Sequence, residues 1–419
     1  MLKVTFFALL FFVCIAPYAQ IPTKLKINLD QTYGGTFSDF LDSVEYIPLE
    51  TSKESLFGQI TNLIVTDSSF VVTDNDTKSV LFFSKTGKFL RRISKNGVLT
   101  PFTASFNRQQ NRIEIPFINY QGSKLVIDCY TLSGDIVDRG TTVKANDLDA
   151  INNIYNKVNS IIVSENCYWV RNKIPDFKSF QEFYYFSLYK NSVKVKSAIR
   201  SDSLNRYSLY RLTKECASFK LPILHSDCFY YSTPLEHKVY KVPLIDGDPE
   251  LCFQFIFPAK FGIDGNLLTI ADKKQLDNIL SKKWYTEKTV LGVENILYAK
   301  DYVIFKTMTG HLGTYSTNGS ITARNFLYQF ENNKLVSFEK ISPDVTTYFL
   351  PFCSPNIISN EGFSFDHDFL YTHISSLNMF ASDAANRAKK PVYPVALEKF
   401  FKTQNSRSNP VIVRMKLRK

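Results

Sequence analysis

The tract Asp366-His367-Asp368-Phe369-Leu370-Tyr371-Thr372-His373 is where residue types and spacing in this chain come nearest to chemistry. Two imidazoles and two carboxylates within one short segment are donors that a divalent transition metal takes. His367 and His373, with Asp366 and Asp368, are therefore the candidate metal ligands. Spacing argues against them. In an extended strand, side chains six residues apart share a face but stand roughly 20 Å apart, too far to share one ion. Only a turn that folds the tract back on itself would bring them together, and a polar loop is the default reading. Asp74 and Asp76 have the spacing of a calcium loop, but the later Gly and Glu of such a loop are missing, so Asp74-Asn75-Asp76 reads as a turn. No Gly-x-Ser-x-Gly, phosphate-loop or His-Glu-x-x-His pattern occurs. The other histidines (His225, His237 and His311) are scattered. No catalytic or cofactor-binding residue is nominated, and no cofactor is expected.

The elements that would position such residues are legible in residues 60–97. Ile60 to Val65 and Phe70 to Thr73 are apolar and β-branched, which suits a pleated, half-buried surface. Asp67-Ser68-Ser69 separates them, and Asp74-Asn75-Asp76 ends the second. Val80 to Phe83 and Phe89 to Ile93 follow, joined by Lys85-Thr86-Gly87-Lys88, where Gly87 is free to take a positive φ. Asn96-Gly97 closes the unit. Four short antiparallel strands make one meander, which cannot bury both faces alone.

The same pattern recurs. Residues 112–143, 160–199, 226–257 and 294–326 each carry short strands broken by Gly, Asn or Asp turns, and residues 357–374 start a sixth group. Repeated four-stranded units predict an all-β protein: a six-bladed β-propeller of four-stranded antiparallel blades with short helical insertions. The aromatic bias, 36 Phe and 23 Tyr against 4 Met, agrees with such a strand-rich chain. Helical spacing is confined to residues 271–284, 376–390 and 394–404. Insertions of this kind sit in loops at one face, often the functional one. Tyr-rich tracts at 182–189 and 229–234 are the compositional clue to binding, since tyrosine at a propeller mouth stacks on sugar rings or peptides. Filling the core between blades is the alternative for any one of them.

Residues 1–19 read as a secretory signal peptide: Lys3, an apolar run from Val4 to Ala16, then a cleavage region ending at Ala19, although Pro17 fits poorly there. Val13 precedes Cys14 where a lipid-attachment motif would want a small residue, so an acylated cysteine is not expected. Residues 20–419 are then one propeller domain, located in the periplasm or at the cell surface, with no transmembrane segment after signal removal. The six remaining cysteines include no Cys-x-x-Cys pair and read as buried thiols, with a Cys216–Cys228 bridge the one pairing considered. A formal net charge of +11 is scattered rather than clustered, which argues against nucleic acid as partner and for a mild preference for anions.

Ser43-Val44-Glu45-Tyr46-Ile47-Pro48-Leu49-Glu50-Thr51, the strand and Asp-rich turn after it, and the hairpin around Gly87 together resemble the opening of exported six-bladed β-propeller proteins of the NHL-like type, abundant in Bacteroides-like bacteria. Residues 408–418 resemble that family's closing strand. After Gly97 the chain departs from it, keeping only Pro101 and an aromatic of the family's Gly-rich loop. The resemblance implies the fold and export more than an activity. Ring closure by residues 24–29 or 43–49 pairing with residues 410–417 is expected, because closure removes exposed sheet edges. Function is read as a monomeric, non-catalytic binding or scaffold propeller for a glycan, peptide or protein. A lyase or hydrolase with a central-channel site of His and carboxylates is the alternative.

Overall fold

The computed structural model describes residues 23–95, 99–101, 104–119, 124–144, 160–164, 167–172, 183–191, 193–200, 227–234, 236–245, 247–262, 266, 270, 272, 274–275, 278, 289–310, 322–353, 363–366 and 368–418. The first three strands, β1 (Thr23–Lys26), β2 (Tyr33–Thr36) and β3 (Leu41–Pro48), do not pair with one another; a single helical turn, α1 (Phe37–Phe40), separates the last two. The first complete blade follows, from β4 (Asn62–Val65) and β5 (Ser69–Asp74) through β6 (Ser79–Ser84) to β7 (Phe89–Ile93). Its middle strands are buried along almost their whole length, whereas β7 exposes Leu90 and Arg91. Blade faces covered on both sides by neighbours need continuous apolar runs, which is why β5 and β6 lack polar alternation.

The second blade holds β8 (Leu99–Pro101), β9 (Ser105–Asn107), β10 (Arg112–Asn119), β11 (Lys124–Tyr130) and β12 (Ile136–Lys144), with β8 and β9 both pairing β10. The third holds β13 (Ser160–Ser164), β14 (Cys167–Arg171), β15 (Tyr184–Lys190) and β16 (Val193–Arg200). The fourth has three strands of its own, β17 (Cys228–Ser232), β18 (Lys238–Pro243) and β19 (Glu250–Ile256). The fifth is built from β20 (Thr289–Tyr298), β21 (Tyr302–Gly310), β22 (Thr322–Gln329) and β23 (Lys334–Ser342). The sixth is β24 (Ser364–Asp366), β25 (Phe369–Ile374) and β26 (Val411–Leu417), with helices α2 (Ser376–Asn386) and α3 (Val395–Thr403) inserted between its last two strands. The helical insertions expected at 376–390 and 394–404 are these two. The one expected at 271–284 falls mostly outside the described residues.

The N-terminal strands complete the three blades formed last. β1 adds to the edge of β19 and β2 to the edge of β23, both in parallel, while β3 pairs β26 antiparallel from Val411↔Pro48 to Lys416↔Ser43. Of the two closing pairings considered from sequence, the one with residues 43–49 forms. Residues 23–26 instead become the fourth strand of the fourth blade. A blade made only of antiparallel strands was expected, but the strap runs along the rim in one direction and meets two blades whose outermost strands already point that way. Leu25, Ile27 and Leu29 enter the core between the fourth and fifth blades, and Gly34 lies where any Cβ would run into the Lys340 carbonyl oxygen. The Ser38 amide donates to Asp344 Oδ2 at 2.8 Å, which fixes the crossing from β2 to β3.

The ring closes through side chains as well. Ile47, Tyr371 and Ile412 of the last blade pack with Phe70, Val72, Leu81 and Phe83 of the first. Asn409, fully buried, donates to the Glu50 and Ser55 carbonyls at 2.8 and 2.9 Å and accepts from the Phe57 amide at 3.2 Å. That residue ties the start of β26 to the chain leaving β3.

Candidate functional site

Asp366 is the last residue of β24, buried and in register with Phe369. Asp368 is exposed in the turn between β24 and β25, and His367 lies outside the described residues. His373 sits mid-strand in β25, opposite Ile412. Four residues along a strand separate it from Phe369, or roughly 13 Å, so Asp366 and His373 do not meet at a point. Among the described residues no group of three or more His, Cys, Asp or Glu side chains is placed to hold a metal. His225 and His311 are also outside the described residues.

What surrounds Asp366 is the seam between the last and first blades. Ser364, Tyr371, Arg414 and Glu45 form one cross-strand row over the whole sixth blade. The face is fixed by Ser364 Oγ donating to the Leu63 carbonyl of the first blade at 3.3 Å. Arg414 lays its guanidinium 3.7 Å from the Phe369 ring centre and donates to Glu45 Oε2 at 3.2 Å. Across the seam, Lys85 Nζ donates to the Thr66 carbonyl at 2.8 Å and stands 4.7 and 5.0 Å from the ring centres of Phe70 and Tyr371. Burial lowers the Lys85 ammonium below its ordinary range, and the charge of Asp366 pulls it back up. Burial likewise pushes the Tyr371 hydroxyl up to about 12. Cations held by rings, a carbonyl and carboxylates are already committed, so this cluster acts as a polar lock on closure.

Two of the five tyrosines in the two aromatic tracts, Tyr185 and Tyr231, are core. Tyr185, Phe186, Phe229 and Tyr231 are buried between the third and fourth blades, with Phe186 and Tyr231 edge to face at 4.7 Å. Tyr230 faces the other way. It is half-buried on β17, the innermost strand of its blade, and meets Tyr298 of β20, the innermost strand of the next, at 5.7 Å in an edge-to-face arrangement. Tyr298 is 37 % exposed and is backed by Phe253 at 5.3 Å and Phe330 at 5.9 Å. Burial raises the Tyr230 hydroxyl, so it stays a protonated donor. With Phe253 on β19 and Phe330 just after β22, this pair is a braced aromatic ledge bridging the fourth and fifth blades. Tyr298 was read from sequence only as the end of a strand. Its position just before Ala299-Lys300-Asp301, a turn, is the one local sign that its ring would reach the blade's end.

Cys129, Cys167 and Cys228 are buried, Cys252 and Cys353 are half-buried thiols, and Cys216 lies outside the described residues. Burial pushes the Cys252 thiol up to about 11 and Cys353 to about 12, which keeps both protonated and poorly nucleophilic.

Fold and seam together define the class: a six-bladed β-propeller closed by its N-terminal strands. Residues 20–98 match the model of a family described as a 6-bladed beta-propeller. A Bacteroides fragilis protein described as exported has a crystal structure similar to this chain, with a TM-score of 0.57 and 11 % identity over 95 % of this chain and 100 % of that one. At that identity the likeness shows the fold alone. A Bacteroides caccae protein of unknown function matches with a TM-score of 0.33 and 8 % identity, over 71 % of this chain and 92 % of that one. Virginiamycin B lyase of Staphylococcus aureus matches with a TM-score of 0.34 and 11 % identity, over 90 % and 99 %. No curated protein matches the chain. No helix among the described residues is long and apolar enough to cross a membrane.

Proposed function

We propose that this chain is an exported, non-catalytic binding propeller, and that it engages a glycan or peptide by stacking it on Tyr298. The observation that carries the reading is the braced ring itself. A large aromatic held from three sides and left more than one-third open where two blades meet presents a flat apolar face at little entropic cost. The protonated Tyr230 hydroxyl adds a polar group next to it, and apolar surface with few polar groups is what small-ligand sites are made of.

The test is a screen of the purified protein on glycan and peptide arrays, followed by titration of any hit against Tyr298→Ala and Tyr298→Leu. Loss of the flat ring is expected to weaken binding by roughly tenfold in both, about 1.4 kcal/mol, with the leucine variant melting close to wild type. Undiminished binding in both variants would remove Tyr298 from the site. Turnover of the ligand in place of binding would move the protein to the lyase or hydrolase reading.

A further inference from the structure

The segment between α2 and α3 carries apolar side chains that nothing in the fold uses. Val392 is 85 % exposed and Val395, the first residue of α3, is 83 % exposed. Val345, 73 % exposed, belongs to a single helical turn at Val345–Thr347 on the neighbouring connection. The two segments are held together from behind. Tyr393, between the two valines, packs its ring 6.1 Å from Tyr348 and 5.0 Å from Phe401, and its hydroxyl donates to Asp383 Oδ1 at 2.9 Å. Asn386 Nδ2 donates to the Phe349 carbonyl at 3.0 Å. Pro391 and Pro394 restrict the backbone on either side of Val392 and Tyr393. The valines are thus fixed outward on a rigid turn instead of collapsing onto the core.

Their setting is basic. Residues 383–402 contain Arg387, Lys389, Lys390, Lys399 and Lys402 against Asp383 and Glu398 only. The two carboxylates are engaged, Asp383 by Tyr393 and Arg387, Glu398 by Lys402 at 2.6 Å. Asp344, beside Val345, spends its carboxylate on the Ser38 and Thr346 amides. Lys390 and Lys399 therefore remain as surplus charge around the valines, Lys399 one helical turn from Val395 on the same face of α3, while Lys389 adds a further positive charge seated 4.5 Å from the Phe349 ring centre. Exposure this high marks a convex surface and not a groove that would receive a protein side chain. Protruding aliphatic tips ringed by lysines are the combination that partitions into a lipid headgroup region, where the ammonium groups meet lipid phosphates.

We infer that this turn, with Val392 and Val395 at its tip, Val345 on the adjoining connection and Lys389, Lys390 and Lys399 around them, docks the propeller onto an anionic lipid surface. It rests on none of the residues of the Tyr298 ledge, so it stands or falls separately from the ligand reading. The test is co-sedimentation of the purified chain with vesicles of phosphatidylglycerol and phosphatidylcholine, compared with phosphatidylcholine alone. Two variants are run beside wild type: Val392→Ser/Val395→Ser and Lys389→Glu/Lys390→Glu. All three share the same N-terminus, so any contribution of the apolar residues 4–16 cancels. The expected result is wild-type binding to the anionic vesicles that falls with salt, and a partition coefficient lowered by roughly tenfold or more in each variant. The serine variant changes solvated side chains only and should melt like wild type, and loss of the exposed Lys389 contact with the Phe349 ring should lower the glutamate variant's melting temperature by a few degrees at most. Equal partition of wild type on both vesicle types, or equal partition of wild type and variants, overturns the inference. Capture of an acidic protein that both variants lose, while wild type ignores the vesicles, overturns it in favour of a protein partner.

Discussion

Burial holds the His237 imidazole neutral. The residue takes a left-handed φ of 52° in the turn between β17 and β18, with its amide donating to the Thr233 carbonyl and its own carbonyl accepting from Phe255. The ring packs edge-on to Phe257 at 5.1 Å, and Nδ1 is buried without a hydrogen-bond partner. Desolvation brings its pKa from 6.5 down to about 4. A depressed folded-state pKa means the unfolded chain binds the proton first. The contribution to stability is complete above about pH 6.5 and is lost as the pH falls towards 4, on the order of 3 kcal/mol in all. His237→Gln should flatten that stretch of the profile, read as urea midpoints at pH 7.5 and 4.5. A variant that loses as much stability over this window as wild type would show that His237 is not the group responsible. Asp74 works in the opposite way, as an acceptor. Burial raises its carboxyl, but donors from Thr77, Gly58 and Gln59 outweigh that and hold it below the ordinary range, which explains why the calcium-like spacing at 74–76 is a turn.

At the scale of elements, the hairpin between β6 and β7 shows how a local turn becomes part of a distant contact. Gly87 has φ 82°, accepts the Glu50 amide through its carbonyl, and leaves no room for a Cβ beside the Pro48 carbonyl oxygen. Gly87→Ala meets both the left-handed backbone and the clash, so a loss of roughly 2 kcal/mol or more is expected in equilibrium unfolding. A change under about 0.5 kcal/mol would mean that the turn is not docked on β3 in solution. The existence and bounds of β4 to β7 were readable within two residues, because each strand is an apolar burst flanked by turn formers. The strap was not. Residues 23–26 and 33–36 are as short as their neighbours, and nothing in Thr-Lys-Leu-Lys or Tyr-Gly-Gly-Thr names β19 or β23 as the edge it will cover.

For the whole molecule, closure is the decisive event. β26 lies between β25 and β3, so it joins the last blade to the start of the chain, and its Ile412 reaches the core shared with the first blade. Deletion of residues 409–419 removes that strand together with Asn409 and Arg414. The exposed edges of β3 and β25 and an uncovered apolar blade face should then drive association. Light scattering and thermal melting check this: aggregation and a lowered melting temperature are expected. A truncated chain that stays monomeric and melts like wild type would show that the ring does not depend on this clasp.

Composition and spacing alone determined the repeated meanders, the propeller class, the two C-terminal helices and the need for an N-terminal strand to clasp residues 410–417, since all rest on patterns within a few residues or on the need to cover sheet edges; which N-terminal strand does so was decided by the tertiary structure. The tract 366–373 looked chemical because sequence distance was the only distance available. Tertiary structure put Asp366 into the closing seam with Lys85 and Arg414 and left His373 further along the strand, since pleating sets what each side chain faces. Tyr230 and Tyr231 are adjacent in sequence and identical in type, yet one is core between the third and fourth blades and the other meets Tyr298. Alternation says that they point apart; only the packing of blade on blade decides which side is closed.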